Sequence, residues 1–250
     1  MTATPAGSGR RWIKTETGSL IWSEARPDGD RVVVKMYRHR PMLDPLRHLA
    51  TEYRVEREYR ILDLLHRSGI ACVEPLSWSH GRDRANGLHE ILTTREIAGA
   101  APLAGLLQGG AGRAVPDLAP LFRLVRRMHE RGVVHGALYP TNVLVAGLPG
   151  GPPRFHLLDL AHGRVFSRGI VGTRPADFDL LDLLCMTGRR APLAGAAEWL
   201  AAYGQDDAAV RQLLARLEHH RIERPWRHFR RIEVDARLTF DRIRRVATGT

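Results

Sequence analysis

Residues 133–145, VVHGALYPTNVLV, constrain the fold of this chain more than any other stretch. Two apolar runs flank a loop that holds His135 and Asn142, and this pattern predicts two short strands joined by a polar loop. Another apolar run, residues 154–160, follows the turn-rich GLPGGPP and carries Asp159 near its end. This half of the chain therefore presents polar side chains at the edges of short buried strands.

The order of the predicted elements indicates an α+β fold with a small β-rich lobe and a larger helical lobe. Residues 11–97 contain predicted strands and one helix, including a hairpin around the turn sequence PDGD. Residues 98–102 form a short connector. Residues 103–250 are mostly helical and end in strongly basic helices. We expect residues 1–10, which are small and rich in Pro and Gly, to be disordered.

Capping and turn residues bound three of the predicted helices. They run over residues 49–66 before Gly69, from an Asp117 cap to Gly132 at the C′ position, and over residues 177–186 before Gly188. The second helix has an apolar stripe of period 3.6, made of Leu118, Leu121, Phe122, Val125 and Met128.

The composition favours a folded cytosolic protein with anionic partners. Hydrophobic residues make up 44% of 250, which suits one large domain or two lobes that share a core. No run reaches the ~18 apolar residues of a membrane helix, and no apolar stretch follows the basic start as in a secretory signal. The net charge of +11 favours nucleotides, nucleic acid or acidic lipids, unless the arginines simply cover a solvated surface. Cys72 and Cys185 predict buried free thiols in a reducing compartment.

Lys35 ends the apolar strand VVVK, and its type is informative because this chain uses Arg at nearly every basic position. Lys14 and Lys35 are the only lysines among 38 Lys and Arg residues. A compact ammonium fits between two phosphates and a carboxylate, where a planar guanidinium does not. We therefore predict that Lys35 binds phosphate, the alternative being a charged residue at a solvated strand end.

Glu58 is a single carboxylate among the apolar residues on one face of the first helix, whereas Glu52 and Glu56 lie elsewhere on the helical wheel. A carboxylate that faces a core requires a cation, and Lys35 is the natural candidate. This pair would hold the ammonium in place for the α- and β-phosphates of a nucleotide. Pairing with one of the many arginines is the alternative.

Asn142 and Asp159 carry hard oxygen ligands of the kind that Mg²⁺ takes in small number while substrate phosphates complete its shell. Taken singly, each would be a turn former after a strand. Together, and in chain order after Lys35 and Glu58, they predict a Mg²⁺ site.

These segments resemble the protein-kinase-like fold and, within it, the lipopolysaccharide core kinases of the Kdo/WaaP type. The resemblance rests on VVVK, Glu58 on a helix, MHERGVVHGALYPTNVLV and FHLLDLAHGR in this order, and on REYRILDLLHRSGIACVEPL. It covers about residues 19–188. It implies a bilobal kinase-like fold, with residues 11–97 as the N-lobe, residues 98–102 as the hinge and residues 103–250 as the C-lobe.

The resemblance also implies a role for each matching residue. Lys35 would contact the α- and β-phosphates of ATP, and Glu58 would hold Lys35. His135 would be the structural histidine of the catalytic loop. Asn142 and Asp159 would bind Mg²⁺.

Several positions depart from the pattern of protein kinases. Gly18 alone represents the glycine-rich loop that covers the phosphates. Leu-Ala replaces Phe-Gly after Asp159, although only the aspartate ligates metal. Gly136 stands where protein kinases carry an arginine that reads a phosphorylated activation loop, so we predict no activation-loop switch.

Ala137 stands where a kinase needs the aspartate that accepts the proton of the acceptor hydroxyl. General-base catalysis is worth about 10²–10⁴-fold, whereas phosphoryl transfer depends mostly on positioning and charge neutralisation. A sister group of the resembled family also lacks this aspartate in a loop of the form LYPxH or LYPxN, which LYPTN resembles.

Three functions stay open at this point. The first is a slow or unusually assisted ATP- and Mg²⁺-dependent kinase that acts on a hydroxyl of a lipopolysaccharide core or lipid-linked sugar. The second is an ATP-binding pseudokinase that serves as a scaffold or regulator of envelope lipopolysaccharide metabolism. The third, a nucleic-acid-binding protein, is disfavoured because the chain lacks a stacking platform, a zinc motif or a recognition helix.

The basic C-terminal segment has two interpretations. It either lies against anionic head groups of the inner membrane, at about 1 kcal/mol for each basic residue near the surface, or forms a solvated helix with Trp226 and Phe229 in the core. We expect a cytoplasmic location, with peripheral membrane association under the first interpretation.

Overall fold

The computed structural model describes residues 10–16, 18–38, 54–83, 87–108, 116–147 and 151–220. The predicted disorder of the N-terminus, apart from Arg10, and the predicted basic C-terminal helix beyond residue 220 lie outside these residues.

Among its described residues, the N-lobe is a five-stranded antiparallel sheet with one helix. Its elements are β1 (Arg11–Glu16), β2 (Ser19–Ala25), β3 (Arg31–Arg38), α1 (Arg54–Arg67), β4 (Pro75–Asp83) and β5 (Gly87–Arg95). The strand order is β1-β2-β3-β5-β4, with each strand antiparallel to its neighbours. The predicted hairpin is confirmed as β2 and β3, and Gly29 supplies the positive φ of 88° that its turn requires.

The part of the C-lobe that the structure describes is mainly helical and also contains five short strands. Its elements are β6 (Ala101–Pro102), α2 (Leu103–Leu107), α3 (Ala119–Glu130), β7 (Val133–Val134), a 3₁₀ turn (Pro140–Asn142), β8 (Val143–Ala146), β9 (Arg154–Leu157), β10 (Arg164–Val165), α4 (Arg174–Gly188), α5 (Ala196–Tyr203) and α6 (Asp207–Leu217). Strands β6, β8 and β9 form one small sheet, and β7 pairs with β10. The predicted α+β fold with two unequal lobes is confirmed.

The predicted starts of two helices differ from the structure. Asp117 accepts a hydrogen bond from the amide of Ala119 at 2.9 Å, but the N-cap itself is Leu118, one residue later. Helix α4 begins at Arg174, ahead of the predicted start, because proline is favourable in a first helical turn and Pro175 lies there. The predicted apolar stripe of α3 is confirmed, since all five of its side chains are fully buried.

The two lobes share one hydrophobic core. Ile61 and Leu65 on α1 belong to the same buried cluster as Leu121 and Met128. The chain after α1 also bonds to β9, since the amide of Leu157 donates to the carbonyl of residue 71 at 3.1 Å. Because β9 leads directly to Asp159, these contacts fix α1 relative to the strand that carries this carboxylate.

The two cysteines differ in their burial. Cys72 is a buried free thiol, as predicted, and burial raises its pKa to about 12. Cys185 is also free but only partly buried, so the predicted burial is wrong for this thiol.

Candidate active site

The ammonium of Lys35 lies between two carboxylates from different parts of the chain. Its Nζ is 3.2 Å from both carboxylate oxygens of Glu58 and 2.6 Å from Oδ1 of Asp159. The side chain of Glu58 is 2% exposed and that of Asp159 is 32% exposed. Glu58 is therefore the inner partner that holds the ammonium, and Asp159 is the partner that a ligand can reach.

Lys35, Glu58 and Asp159 form a triad of charged side chains. Burial and the attraction between opposite charges shift the pKa values of all three. Burial raises the pKa of Glu58, although Lys35 opposes this effect. Burial would lower the pKa of Lys35, but its acidic neighbours, Glu58 first among them, outweigh burial and raise that pKa. Burial would raise the pKa of Asp159, but Lys35 outweighs it and lowers that pKa. Lys35 is therefore cationic and Asp159 anionic at neutral pH.

Glu90 on β5 anchors the first turn of α1, which sequence reasoning missed. Its Oε2 accepts a hydrogen bond from the amide of Val55 at 2.7 Å, and the side chain is fully buried. The first amides of a helix lack partners within the helix, so this bond both satisfies one of them and ties α1 to the sheet. The only feature of the sequence that could have indicated this role is a carboxylate inside the apolar strand GLHEILTTR.

Asp159 has a left-handed backbone conformation with φ of 60°, which no other non-glycine residue among those described shares. Such a conformation costs about 1–3 kcal/mol in a residue with a side chain and persists only where surrounding contacts enforce it. Here the bond to Lys35 holds the carboxylate.

The loop between β7 and β8 brings His135 and Asn142 to the same region. His135 is fully buried, and its Nε2 donates to the carbonyl of Leu158 at 3.1 Å, one residue before Asp159. Burial lowers the pKa of His135, so the ring is neutral. The amide of Asn142 donates to the carbonyl of Ala137 at 2.9 Å. Both side chains thus make hydrogen bonds to the backbone of this region, and the structural role of His135 in a catalytic loop stays a prediction.

Asp179 on α4 fixes this loop, and sequence reasoning missed it as well. Its carboxylate accepts from the amide of His135 at 2.6 Å, from the amide of Gly136 at 2.9 Å and from Nε2 of His129 at 3.1 Å. Nδ1 of His129 in turn accepts from the hydroxyl of Tyr203 at 2.7 Å. The sequence feature that could have indicated this role is a carboxylate within the apolar helix DFDLLDLL. The same kind of pattern led to the prediction for Glu58.

Gly136 cannot be replaced by a larger residue without a shift of the backbone. Its φ is +75°, and a Cβ atom there would lie 2.4 Å from the carbonyl oxygen of His162. The segment after Asp159 therefore packs directly against this glycine, which leaves no room for the arginine of protein kinases.

A cleft of about 760 Å³ separates the two lobes beside this triad. Its walls include apolar side chains of both lobes, among them Ile21, Val33, Leu92, Leu144 and Leu158. Lys35, Glu58, Asn142 and Asp159 line the same cleft, so the structure brings these four predicted residues together. Gly18 is exposed in the β1–β2 turn and is not among the residues that line the cleft.

The residues present fit a nucleotide with Mg²⁺. The size and mixed lining of the cleft are those of a small-molecule site, and the amide oxygen of Asn142 and the carboxylate of Asp159 are hard donors that suit Mg²⁺. Within the described ranges, no three or more His, Cys, Asp or Glu side chains are grouped so that they could hold a metal ion. Among the same residues, no helix combines the length and apolarity needed to cross a membrane.

Comparisons with known proteins agree with this architecture. A family model described as "Lipopolysaccharide kinase (Kdo/WaaP) family" matches residues 9–202. A solved structure, "WaaP in complex with acyl carrier protein", aligns with a TM-score of 0.61 and 19% identity over 85% of this chain and 87% of that one. No curated protein sequence matches significantly.

Two structures of Rio2 kinase from Chaetomium thermophilum share the fold. One aligns with a TM-score of 0.52 and 16% identity over 80% of this chain and 65% of its own. The other, an ADP/Mg²⁺-phosphoaspartate complex, aligns with a TM-score of 0.51 and 17% identity over 96% of this chain and 71% of its own.

Proposed function

Because this chain belongs to the lipopolysaccharide kinase (Kdo/WaaP) family, we propose that it transfers a phosphoryl group from ATP to a sugar hydroxyl of a lipopolysaccharide core. One observation carries the proposal: the Lys35 ammonium is shared by buried Glu58 and cleft-facing Asp159 at the wall of a nucleotide-sized cleft. A fixed ammonium beside a reachable carboxylate is the arrangement that phosphoryl transfer requires.

Each residue of the site has a part in this reaction. Lys35 binds the α- and β-phosphates, and Glu58 holds its ammonium in position. Asn142 and Asp159 would hold Mg²⁺, which, when bound, would neutralise the negative charge of the phosphates. The apolar walls around Val33 and Leu144 enclose the base of the nucleotide.

Ala137 distinguishes this site from that of a typical kinase, which carries an aspartate at the same position. Its methyl group cannot accept the proton of the acceptor hydroxyl, so the general-base contribution of about 10²–10⁴-fold is absent at this position. What is left is positioning and charge neutralisation, which supply most of the catalysis in phosphoryl transfer. We infer a slow enzyme.

The same residue favours a second candidate, an ATP-binding pseudokinase that regulates or scaffolds lipopolysaccharide metabolism. The buried ammonium triad would then bind nucleotide without turnover. Both candidates place the protein in the cytoplasm, with lipopolysaccharide precursors at the inner membrane as the partner.

Phosphate transfer to an isolated core oligosaccharide separates the two candidates. We expect γ-labelled ATP with Mg²⁺ to label the oligosaccharide slowly. We expect Asp159→Asn to lower the rate by about 10²–10³-fold, because a neutral amide would hold Mg²⁺ less tightly and the charge at the transferred group would be less well neutralised. Asp177→Asn is the matched control, since Asp177 pairs with Arg216 at the surface.

The possible results of this assay have distinct meanings. Nucleotide binding without any labelling identifies the pseudokinase. Labelling that is unchanged in Asp159→Asn contradicts the proposed site.

A further inference from the structure

Glu90, on β5, has a buried carboxylate on the sheet face that carries Lys35. In the antiparallel register, Tyr37 lies opposite Glu90 and Lys35 lies opposite Leu92. Residues directly opposite each other in an antiparallel pair point to the same side of a sheet, and so do residues two apart on one strand. Glu90 and Lys35 therefore share one face. Because a buried carboxylate costs free energy that an apolar side chain avoids, the contacts of Glu90 should account for its presence there.

Helix α1 contacts this face at both ends of one helical turn. The amide of Val55 donates to Oε2 of Glu90 at 2.7 Å, and the ammonium of Lys35 donates to both carboxylate oxygens of Glu58 at 3.2 Å. Val55 and Glu58 are three residues apart, which corresponds to a rise of about 4.5 Å and to neighbouring positions on the helix surface. The position of Glu58 along and around the helix axis therefore depends on where Glu90 holds the backbone of this turn.

The hydrogen bond to Glu90 gives α1 a directional restraint that its apolar packing lacks. Val55, Ile61 and Leu65 of α1 belong to the shared core, but hydrophobic contacts are non-directional. An N–H···O bond, by contrast, weakens steeply as its angle departs from linearity. The negative charge of Glu90 near the first amides of α1 is also favourable, because it complements the helix dipole. Glu90 is thus suited to fix the rotation of this turn.

The position of Glu58 matters because Lys35 also contacts a second carboxylate. Asp159 lies 2.6 Å from the ammonium, nearer than Glu58 at 3.2 Å. If Glu58 moved away, Lys35 would pair with Asp159 alone and would compete with Mg²⁺ for the same carboxylate. Glu58 must therefore hold the ammonium if Asp159 is to bind the metal.

We propose that Glu90 is a positioning residue for phosphate binding. By holding the first turn of α1, it keeps Glu58 against Lys35 and so keeps the ammonium directed at the nucleotide. This inference rests on the proposed function and adds to it a residue of the N-lobe sheet that is not among those lining the cleft. Such residues act by preorganising the group that they support.

Three substitutions separate the acceptor, the charge and the size of this side chain. Glu90→Gln keeps an oxygen acceptor at the same reach without the charge. Glu90→Asp keeps the charge but is one methylene shorter, and Glu90→Leu keeps only the approximate size. Asp63→Asn is the matched control on α1, since Asp63 pairs with Arg67 near the surface. The aspartate variant keeps the test valid if the leucine variant does not fold.

Lys35 can be observed directly because the chain has only two lysines. NMR spectra of the full chain with isotope-labelled lysine contain one side-chain nitrogen resonance for each, and Lys35→Met assigns them. We expect Glu90→Asp and Glu90→Leu to move the Lys35 resonance, since its contact with Glu58 changes, and to leave that of Lys14 in place. Glu90→Gln and the control keep both resonances near their wild-type positions. An unmoved Lys35 resonance in the aspartate and leucine variants, or one that moves with glutamine but not with aspartate, overturns the inference.

Calorimetry with Mg²⁺–ATP and with adenosine gives the functional readout. We expect Glu90→Leu to weaken binding of Mg²⁺–ATP by about 10-fold, because a misplaced ammonium keeps only part of its attraction for the phosphates. Adenosine, which has no phosphate, binds unchanged. In the Lys35→Met protein, Glu90→Leu has no further effect on Mg²⁺–ATP, since residues that act through one contact are not additive. A merely structural role would weaken both ligands and would add to the effect of Lys35→Met, which contradicts the positioning role.

The two readouts separate this inference from the proposed function, because the Lys35 resonance is measured without nucleotide. A wild-type protein that binds Mg²⁺–ATP, but whose Lys35 resonance and affinity do not depend on Glu90, refutes the positioning role alone. A Lys35 resonance that depends on Glu90 in a protein that does not bind Mg²⁺–ATP refutes the proposed function alone.

Discussion

Introducing aspartate by Ala137→Asp is expected to raise the rate of phosphate transfer by about 10²–10⁴-fold, the range that a general base contributes. The backbone on both sides of Ala137 is already held, although Ala137 itself is only 5% exposed and its neighbours must make room for the carboxylate. Asp179 already holds the amides of His135 and Gly136, and Asn142 holds the carbonyl of Ala137. Only the proton-accepting side chain is absent, so the new carboxylate would project from a backbone that is already in place.

The control for this variant is Ala137→Asn, which has nearly the same shape but cannot accept the proton. Single-turnover labelling of core oligosaccharide, with Mg²⁺–ATP binding measured in parallel, gives the comparison. We expect a gain with aspartate alone. No gain in a variant that still binds Mg²⁺–ATP would show that the missing base is not what limits this protein.

Asp179→Ala is expected to lower the free energy of unfolding by about 3–5 kcal/mol. Three buried donors, the amides of His135 and Gly136 and the ring of His129, would lose their acceptor at once. Each buried donor left without a partner costs about 1–3 kcal/mol, and loss of a buried charged partner has effects of this total size. Because whole domains are stable by only about 5–15 kcal/mol, the remaining protein would be marginal.

Urea denaturation measures this loss, with Asp177→Ala as the matched control on the same helix. Asp177 forms a partly exposed ion pair with Arg216, and such pairs contribute only about 0–1 kcal/mol. An Asp179→Ala protein as stable as the control would mean that this carboxylate does not hold the loop.

Local patterns were sufficient to predict the fold and the inner triad. Lys35 was identified because lysine is so rare in this chain, and Glu58 because a carboxylate interrupted an apolar helical face. The order of these residues before Asn142 and Asp159 then predicted a Mg²⁺ site, the resemblance to the kinase-like fold implied nucleotide binding, and the structure places all four residues on one cleft.

The residues that sequence reasoning missed act through contacts between distant segments. Glu90 and Asp179 are buried carboxylates whose partners are backbone amides of other elements, and no periodicity shows which amide lies opposite. The predicted role of Gly18 stays a prediction, since a single glycine does not define a loop.

The central claim is that Lys35, held by Glu58 and next to Asp159, binds the phosphates of a nucleotide. Calorimetric titration with Mg²⁺–ATP tests it most directly, on the wild type, Lys35→Met and Lys14→Met. Lys14, the other lysine, lines the same cleft from the exposed strand β1, so its removal changes the charge equally without touching the triad. We predict that Lys35→Met weakens binding by about 100-fold, as expected for lost charge-assisted bonds to phosphate, while Lys14→Met stays close to the wild type. Equal affinity of Lys35→Met and the wild type, or no binding by the wild type, would contradict the claim.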